Sequence, residues 1–203
     1  STGSPLAPSS FDFVYNQIKG DLQLSSISGG TDIISCFALG NPVLPVYRGE
    51  LQCRGLGMKM EIFDKQGRSI KEKKGELVCT AAFPSMPIGF WNDPDGKKYF
   101  STYFKRFSNV WCHGDYAEIT DRKSVIIYGR SDTTLNPGGV RIGTGEIYRV
   151  VDQFKEIEES VAIGQEWEGN ERIVLFVRLQ SDFKLDKKLI QEIRKAIREA
   201  ASP

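Results

Sequence analysis

The stretch YGRSDTTLNPGGVRIGTGEIYRVV, from Tyr128 to Val151, sets Arg130, Asp132 and Arg141 among glycines, between an apolar run and an amphipathic one. Glycine lets the backbone approach a ligand closely, and arginine recognises phosphate through a fixed fork of donors. The stretch therefore predicts a phosphate or nucleotide site. An interdomain linker with surface arginines fits the spacing equally well, because neither a Walker loop nor a dinucleotide fingerprint is present.

The composition is ordinary for a soluble globular protein and carries no strong charge bias. The 203 residues include 27 basic and 26 acidic side chains, with a formal net charge of +1. Proteins that bind nucleic acid or anionic membranes usually carry a basic excess, and no apolar run approaches a membrane span. The sequence therefore predicts no nucleic-acid partner, no membrane span and a cytoplasmic location. It shows no signal peptide and no initiating methionine, which favours a processed or excised piece.

The four cysteines are widely spaced and fit no Cys-x-x-Cys pattern. We interpret them as reduced thiols of the core. Cys112 and His113 are adjacent, but this histidine is the only one in the chain, so a zinc site is disfavoured.

The hydrophobic periodicity predicts an α+β fold in two parts. Residues 1–131 begin with a helix and strand segment (1–40), in which a helix follows Ser10 and a strand covers 22–27. Residues 41–131 contain short alternating segments separated by turns, which predict a small antiparallel, barrel-like subdomain.

The second part, residues 132–203, reads as a small α+β unit of its own. A helix that Thr144 caps is followed by two strands and a long helix, whose apolar positions include Leu185, Leu189, Ile193 and Ile197. The predicted boundary lies at Ser131 and Asp132.

Four segments, taken in order, resemble the core motifs of the AMP-forming acyl-CoA synthetases, within the adenylate-forming enzyme superfamily. They are Gly3-Ser4-Pro5, SGGTD at 28–32, Gly114-Asp115, and GRSDTTLNPGGVRIGTGEIY at 129–148. The resemblance covers essentially the whole chain. It implies that residues 1–131 are the end of the large adenylating domain, and that 132–203 are a small mobile C-terminal domain.

The resemblance implies several nucleotide contacts in the first part. Gly3, Ser4 and Pro5 match the segment whose backbone packs on the adenine, and Gly30 precedes the phosphate contact. Thr31 matches a catalytic hydroxyl at the α-phosphate. Asp32 matches an acid, usually glutamate, that is associated with Mg²⁺. The aspartate keeps the charge on a shorter side chain.

Further roles follow from the other motifs. Asp115 matches the aspartate that takes both ribose hydroxyls, and two acceptor oxygens suit a vicinal diol. Arg130 matches the arginine at the ribose and phosphate side, and Arg141 matches a second, catalytic arginine near the phosphates. Asp132 matches the hinge of the small domain, and Gly139 lies where CoA enters. The implied substrates and cofactors are ATP, converted to AMP, with Mg²⁺ and CoA.

The acid specificity has one clue in the sequence. In acetyl-activating members of the family a tryptophan closes the acyl pocket, and the matching segment here is Ser28-Gly29-Gly30. The missing side chain implies room for a longer short acid, such as acetoacetate. Alternatively, these glycines only form a turn.

Two family motifs have no counterpart here. The phosphate-gripping loop should precede Gly3, and the adenylation lysine should follow the long helix; Lys187, Lys188 and Lys195 are poor substitutes. The resemblance thus implies the later part of a longer enzyme, partnered by the remainder of the same chain. We expect this piece alone to be nearly inactive in adenylation.

Three other interpretations stay open at this point. The run YFSTYFKRF (99–107) could stack on single-stranded bases, although a half-buried segment accounts for it better given the neutral charge. The chain could instead come from a related enzyme that loads a carrier protein or activates another acid. It could also be a non-catalytic nucleotide-binding remnant.

Overall fold

The computed structural model describes residues 1–135, 142–168 and 170–201. They form a mixed α/β structure with antiparallel sheets, divided into two compact units, residues 1–127 and 128–203. Among the described residues, no helix has the length and apolarity needed to cross a bilayer.

The first unit begins with a short helix and a three-stranded sheet. Helix α1 (Pro8–Phe13) continues into a π-helical turn (Val14–Ile18), and strands β1 (Ser28–Gly30), β2 (Ser35–Leu39) and β3 (Cys53–Arg54) pair antiparallel in that order. Proline suits the first turn of a helix because its missing N–H has no intrahelical partner there.

Two local predictions for this region were wrong. The helix starts at Pro8, with Ala7 as its N-cap, rather than after Ser10. The predicted strand at 22–27 is irregular, and the strand instead forms at Ser28–Gly30, where the sequence predicted a break.

A five-stranded sheet, in the order β5-β4-β6-β7-β8, follows, and only its last strand continues past residue 127. Its strands are β4 (Met60–Phe63), β5 (Ser69–Ile70), β6 (Gly75–Cys79), β7 (Trp111–Ile119) and β8 (Val125–Arg130). Helix α2 (Lys97–Tyr103) precedes β7. Strand β6 is buried on both faces, and Phe37, Trp111 and Leu77 belong to one apolar cluster with their neighbours. This core fixes β2 and β7 relative to one another.

The second unit has its own core. Helix α3 (Thr144–Val151), strands β9 (Ile157–Trp167) and β10 (Asn170–Leu179), and helix α4 (Lys187–Ala201) follow in order, and the two strands form an antiparallel pair. Its fully or largely buried side chains are Leu135, Ile142, Ile147, Val151, Ala162, Leu189 and Ile193. Leu185 precedes α4 and is half exposed, so its predicted inward position was wrong, whereas Leu189 and Ile193 are buried as predicted.

The glycine-rich stretch connects β8 to α3. Leu135 and Ile142 exchange two backbone hydrogen bonds of 2.9 and 2.8 Å. Gly143, rather than Thr144, is the N-cap of α3, and the Glu146 carboxylate accepts the N–H of Gly143 at 3.0 Å. This contact gives a partner to the Gly143 N–H, a donor that the start of a helix would otherwise leave without one.

Candidate functional site

The central feature of the first unit is a buried link between β1 and β7. The Ser28 hydroxyl donates a hydrogen bond to Asp115 Oδ2 at 2.7 Å, and both residues are less than one-tenth exposed. Asp115 follows Gly114, whose φ of 84° lies in the left-handed region that favours glycine. Two residues that the family resemblance placed on the acyl and ribose sides are therefore in direct contact.

His113 lies two residues before Asp115 on β7, on the other side of Gly114. Its Nε2 is 3.1 Å from the carbonyl oxygen of Gly29 and 3.9 Å from Asp115 Oδ2. The imidazole also meets the Phe37 ring edge-on, with 4.8 Å between centroids. Sequence reasoning did not assign His113 a place in the site, although its spacing of two from Asp115 was a usable signal.

The next segment carries Thr31 and Asp32 in a single 3₁₀ turn (Thr31–Ile33) directly after β1. Both side chains are exposed, while Ile33 is fully buried and anchors the turn. The Tyr103 hydroxyl donates a hydrogen bond to Asp32 Oδ2. Tyr103 in turn stacks on Trp111, with 3.6 Å between ring centroids and 15° between planes. No sequence pattern connects Tyr103 with Asp32, because 71 residues separate them.

Just before the segment Gly3-Ser4-Pro5, the backbone of Ser1 is hydrogen-bonded to residues that precede β1. The Ser1 carbonyl accepts the N–H of Ile27 at 3.0 Å, and the Ser1 backbone nitrogen donates to the Ser25 carbonyl at 2.6 Å. Gly3 has a φ of 97° and, with Ser4, is exposed.

The opposite face of β7 is a structural support. Cys112 Sγ donates to Glu76 Oε1 at 3.3 Å, and Arg106 forms an ion pair with the other oxygen of the same carboxylate. Burial, with a further contribution from Glu76, raises the pKa of Cys112 to about 12, so the thiol is protonated at neutral pH. All four cysteines are free thiols, as predicted.

The remaining predicted residues belong to the second unit or lie outside the described residues. Arg130 ends β8, and its Nε is 3.4 Å from Asp132 Oδ1; both side chains are at least half exposed. The hydroxyls of Thr133 and Thr134 donate to the Arg130 carbonyl. Gly139 and Arg141 lie outside the described residues.

The described side chains that could contact a metal ion are few. No group of three or more His, Cys, Asp or Glu side chains suited to a metal occurs in the described ranges. Mg²⁺ needs few protein ligands when substrate phosphates supply the others, and one exposed carboxylate such as Asp32 fits that arrangement. A carboxylate has about four acceptor positions, and at Asp115 the Ser28 hydroxyl occupies one of them.

Comparison with known proteins extends along the whole chain, although no family model matches it. The acetoacetyl-coenzyme A synthetase of Rhizobium meliloti (strain 1021) is 60% identical over 203 residues, which is 100% of this chain and 31% of the relative. The chain is homologous, from end to end, to part of the acetoacetyl-CoA synthetases. The Xenopus tropicalis acetoacetyl-CoA synthetase is 47% identical, again over 100% of this chain and 30% of its own length.

The solved structures agree with this assignment. An acetoacetyl-CoA synthetase from Streptomyces lividans matches with a TM-score of 0.85 and 45% identity, over 97% of this chain and 30% of that one. A benzoate CoA ligase from Burkholderia xenovorans LB400 matches with a TM-score of 0.78 at 18% identity, which shows the shared fold alone. Acetoacetyl-CoA synthetases are AMP-forming acid–CoA ligases, and the predicted resemblance to that family is confirmed along the whole of this chain. The chain spans about 31% of the length of the Rhizobium meliloti relative.

Proposed function

We propose that the full-length protein that carries this sequence activates acetoacetate with ATP and then transfers the acyl group to CoA. The observation that carries the proposal is the 60% identity to an acetoacetyl-CoA synthetase across all 203 residues. It is supported by the close grouping of Ser28, Thr31 and Asp115 in the first unit.

The reaction takes place in two balanced steps. A carboxylate oxygen of the acid attacks the α-phosphorus of ATP, and pyrophosphate leaves with the broken P–O bond's electron pair. The CoA thiol sulfur then attacks the acyl carbon, loses its proton, and AMP leaves. The first step converts a poor electrophile into one with a good leaving group, which lowers the barrier to thioester formation.

Each residue of the first unit has a proposed task. The Asp115 carboxylate accepts the ribose hydroxyls, while Ser28 holds its orientation. The Thr31 hydroxyl donates to the α-phosphate, and Asp32 holds Mg²⁺, which would offset the phosphate charge when bound. Gly3, Ser4 and Pro5 pack against the adenine. The wall at Ser28–Gly30 admits the acid.

The second unit supplies the moving part in this proposal. Arg130 and Arg141 offset phosphate charge, Gly139 admits the thiol arm of CoA, and Asp132 is the hinge. Because one pocket serves two steps, a small C-terminal domain that rotates between them would present different residues to each. The proposal also retains a barrel-like arrangement for the β-rich subdomain.

The test is acid-dependent exchange between ATP and pyrophosphate, with the full-length protein and acetoacetate, acetate, butyrate or no acid. Exchange that requires an acid and is fastest with acetoacetate is the expected result. The 203-residue piece serves as a control and should support little exchange, because the relatives are about three times as long. Exchange that is absent with every acid would overturn the proposal and favour an enzyme for another acid or a non-catalytic remnant.

A further inference from the structure

His113 is the only histidine of the chain and is buried between the two sheets of the first unit. Its imidazole meets the Gly29 carbonyl at 3.1 Å, the Asp115 carboxylate at 3.9 Å, the edge of Phe37 and the open side of Gly30. A Cβ on Gly30 would lie 3.1 Å from His113 Cε1, tighter than ordinary van der Waals contact. The absence of a side chain at position 30 therefore makes room for the imidazole.

The contact with Gly29 shows which atom donates the hydrogen bond. A carbonyl oxygen can only accept, so Nε2 of His113 must donate. The hydrogen bond holds the Gly29 carbonyl from the β7 side. From the β2 side, Gly29 is confined by the backbone of Ser35, because a Cβ at position 29 would lie only 2.2 Å from the Ser35 carbonyl oxygen. Residues 29 and 30 are therefore held from both sides.

We propose that His113 is a positioning residue that sets acid selectivity by holding the Gly29–Gly30 wall of the acyl pocket. The inference rests on the proposed function, which assigns that wall to the acid. The imidazole donates to the wall and does not contact the reacting atoms. Selectivity follows from the wall's position, because a pocket discriminates acids of different length by the space that it leaves.

The experiment measures kcat/KM for acetoacetate and for acetate with the full-length protein, using acid-dependent ATP–pyrophosphate exchange. His113→Leu keeps bulk and removes the donor, so the ratio of the two values should fall about tenfold, as a change of wall shape typically costs. His113→Gln places an amide donor near the position of Nε2 and should largely restore the ratio. The KM for ATP should move less than the ratio in both variants.

Cys112→Ala is the matched control, because Cys112 is the buried neighbour of His113 on the other face of β7. It should lower the unfolding midpoint without moving the ratio. If His113→Leu does not fold, His113→Asn replaces it, because the asparagine side chain is too short to reach Gly29. The selectivity ratio of His113→Asn is then compared with that of His113→Gln.

Two results would overturn the proposal, and they can be told apart. If the unmodified enzyme needs an acid for exchange, but the ratio is the same in the donor-less variants, His113 is only a core residue. If the unmodified enzyme shows no acid dependence, the proposed function fails and the assignment of His113 fails with it.

Discussion

Ser28 donates its hydroxyl proton to Asp115 Oδ2 over 2.7 Å, across 87 residues of sequence. The contact joins the three-stranded sheet to β7 at Ser28, the first residue of the short strand that leads into the Thr31–Ile33 turn. Since both side chains are shielded from water, the hydrogen bond limits the orientations that the carboxylate can adopt.

This contact predicts the behaviour of a serine variant. In the full-length protein, Ser28→Ala should raise the KM for ATP about tenfold, because a hydrogen bond to a charged group is worth about 1.5 kcal/mol. Asp115→Ala should raise it further. Ser124→Ala is the control: Ser124 is an equally buried serine that donates to the carboxylate of Glu50. It should cost stability and leave the KM for ATP unchanged; an equal change in both serine variants would argue against a nucleotide role.

The hydrogen bond from Tyr103 predicts a change in magnesium dependence. Tyr103→Phe keeps the stack on Trp111 but frees the Asp32 carboxylate to rotate. The Mg²⁺ concentration for half-maximal exchange should rise about fivefold, the equivalent of roughly 1 kcal/mol. MgATP should also protect the variant less against thermal unfolding. Tyr99→Phe loses a hydroxyl bonded to the Pro87 carbonyl in the same aromatic cluster and should change neither quantity.

The ion pair beneath β7 predicts a large loss of stability. Arg106→Ala would leave the carboxylate of Glu76 buried, with 1% of its side chain exposed, without its cation. We expect a loss of about 3 kcal/mol in the free energy of unfolding, measured with urea. Arg68→Ala removes an arginine whose side chain is 74% exposed from its pair with Asp64, and should cost less than about 1 kcal/mol. Similar losses would contradict this account.

The raised pKa of Cys112 predicts both its reactivity and a pH effect. At pH 8 the folded protein should label at Cys112 with iodoacetamide only after denaturation, because the thiolate is the nucleophile. The folded chain holds this proton more tightly than the unfolded chain does. The stability that the protonated Cys112 thiol contributes is therefore complete below pH 9.0 and is lost as the pH rises from there towards about 12. Rapid labelling of Cys112 in the native protein would disprove the assignment.

The core of the second unit predicts different stability losses for alanine substitutions at Ile193 and at Leu185. Ile193→Ala removes a side chain that is 5% exposed, and should destabilise the unit by about 2–4 kcal/mol through transfer and cavity terms. Leu185→Ala changes a side chain that is 48% exposed and should cost far less. Denaturant unfolding, followed by a probe in the second unit, measures both; equal costs would mean that Leu185 is packed in solution.

The strands and helices with strong periodicity could be predicted from the sequence, whereas β1 could not. Residues 22–27 have the composition of a strand but find no ladder partner, while Ser28–Gly30 pairs with β2 despite two glycines. Here tertiary pairing outweighs local propensity, because the close approach of the Ser35 backbone requires glycine.

The candidate site, too, could be predicted only in part from the sequence. Motif spacing selected Thr31, Asp32 and Asp115, but it could not reveal which side chains contact them and the neighbouring backbone. His113 and Tyr103 act through contacts that depend on how β1, α2 and β7 pack, and such contacts follow from the folded core. An alternation of His113 and Asp115 along one strand was the single local hint.

The close approach at Gly29 limits how the acid preference could be re-engineered. Any side chain at position 29 would meet the Ser35 carbonyl carbon and oxygen and the Cys36 Cα, all of them backbone atoms that no rotamer change can move aside. Replacing this glycine with a tryptophan would therefore separate β1 from β2 before it narrowed the proposed acyl pocket. Conversion to a shorter acid thus requires redesigning the β1–β2 hairpin as a unit, and a single substitution should yield a misfolded enzyme instead of a new specificity.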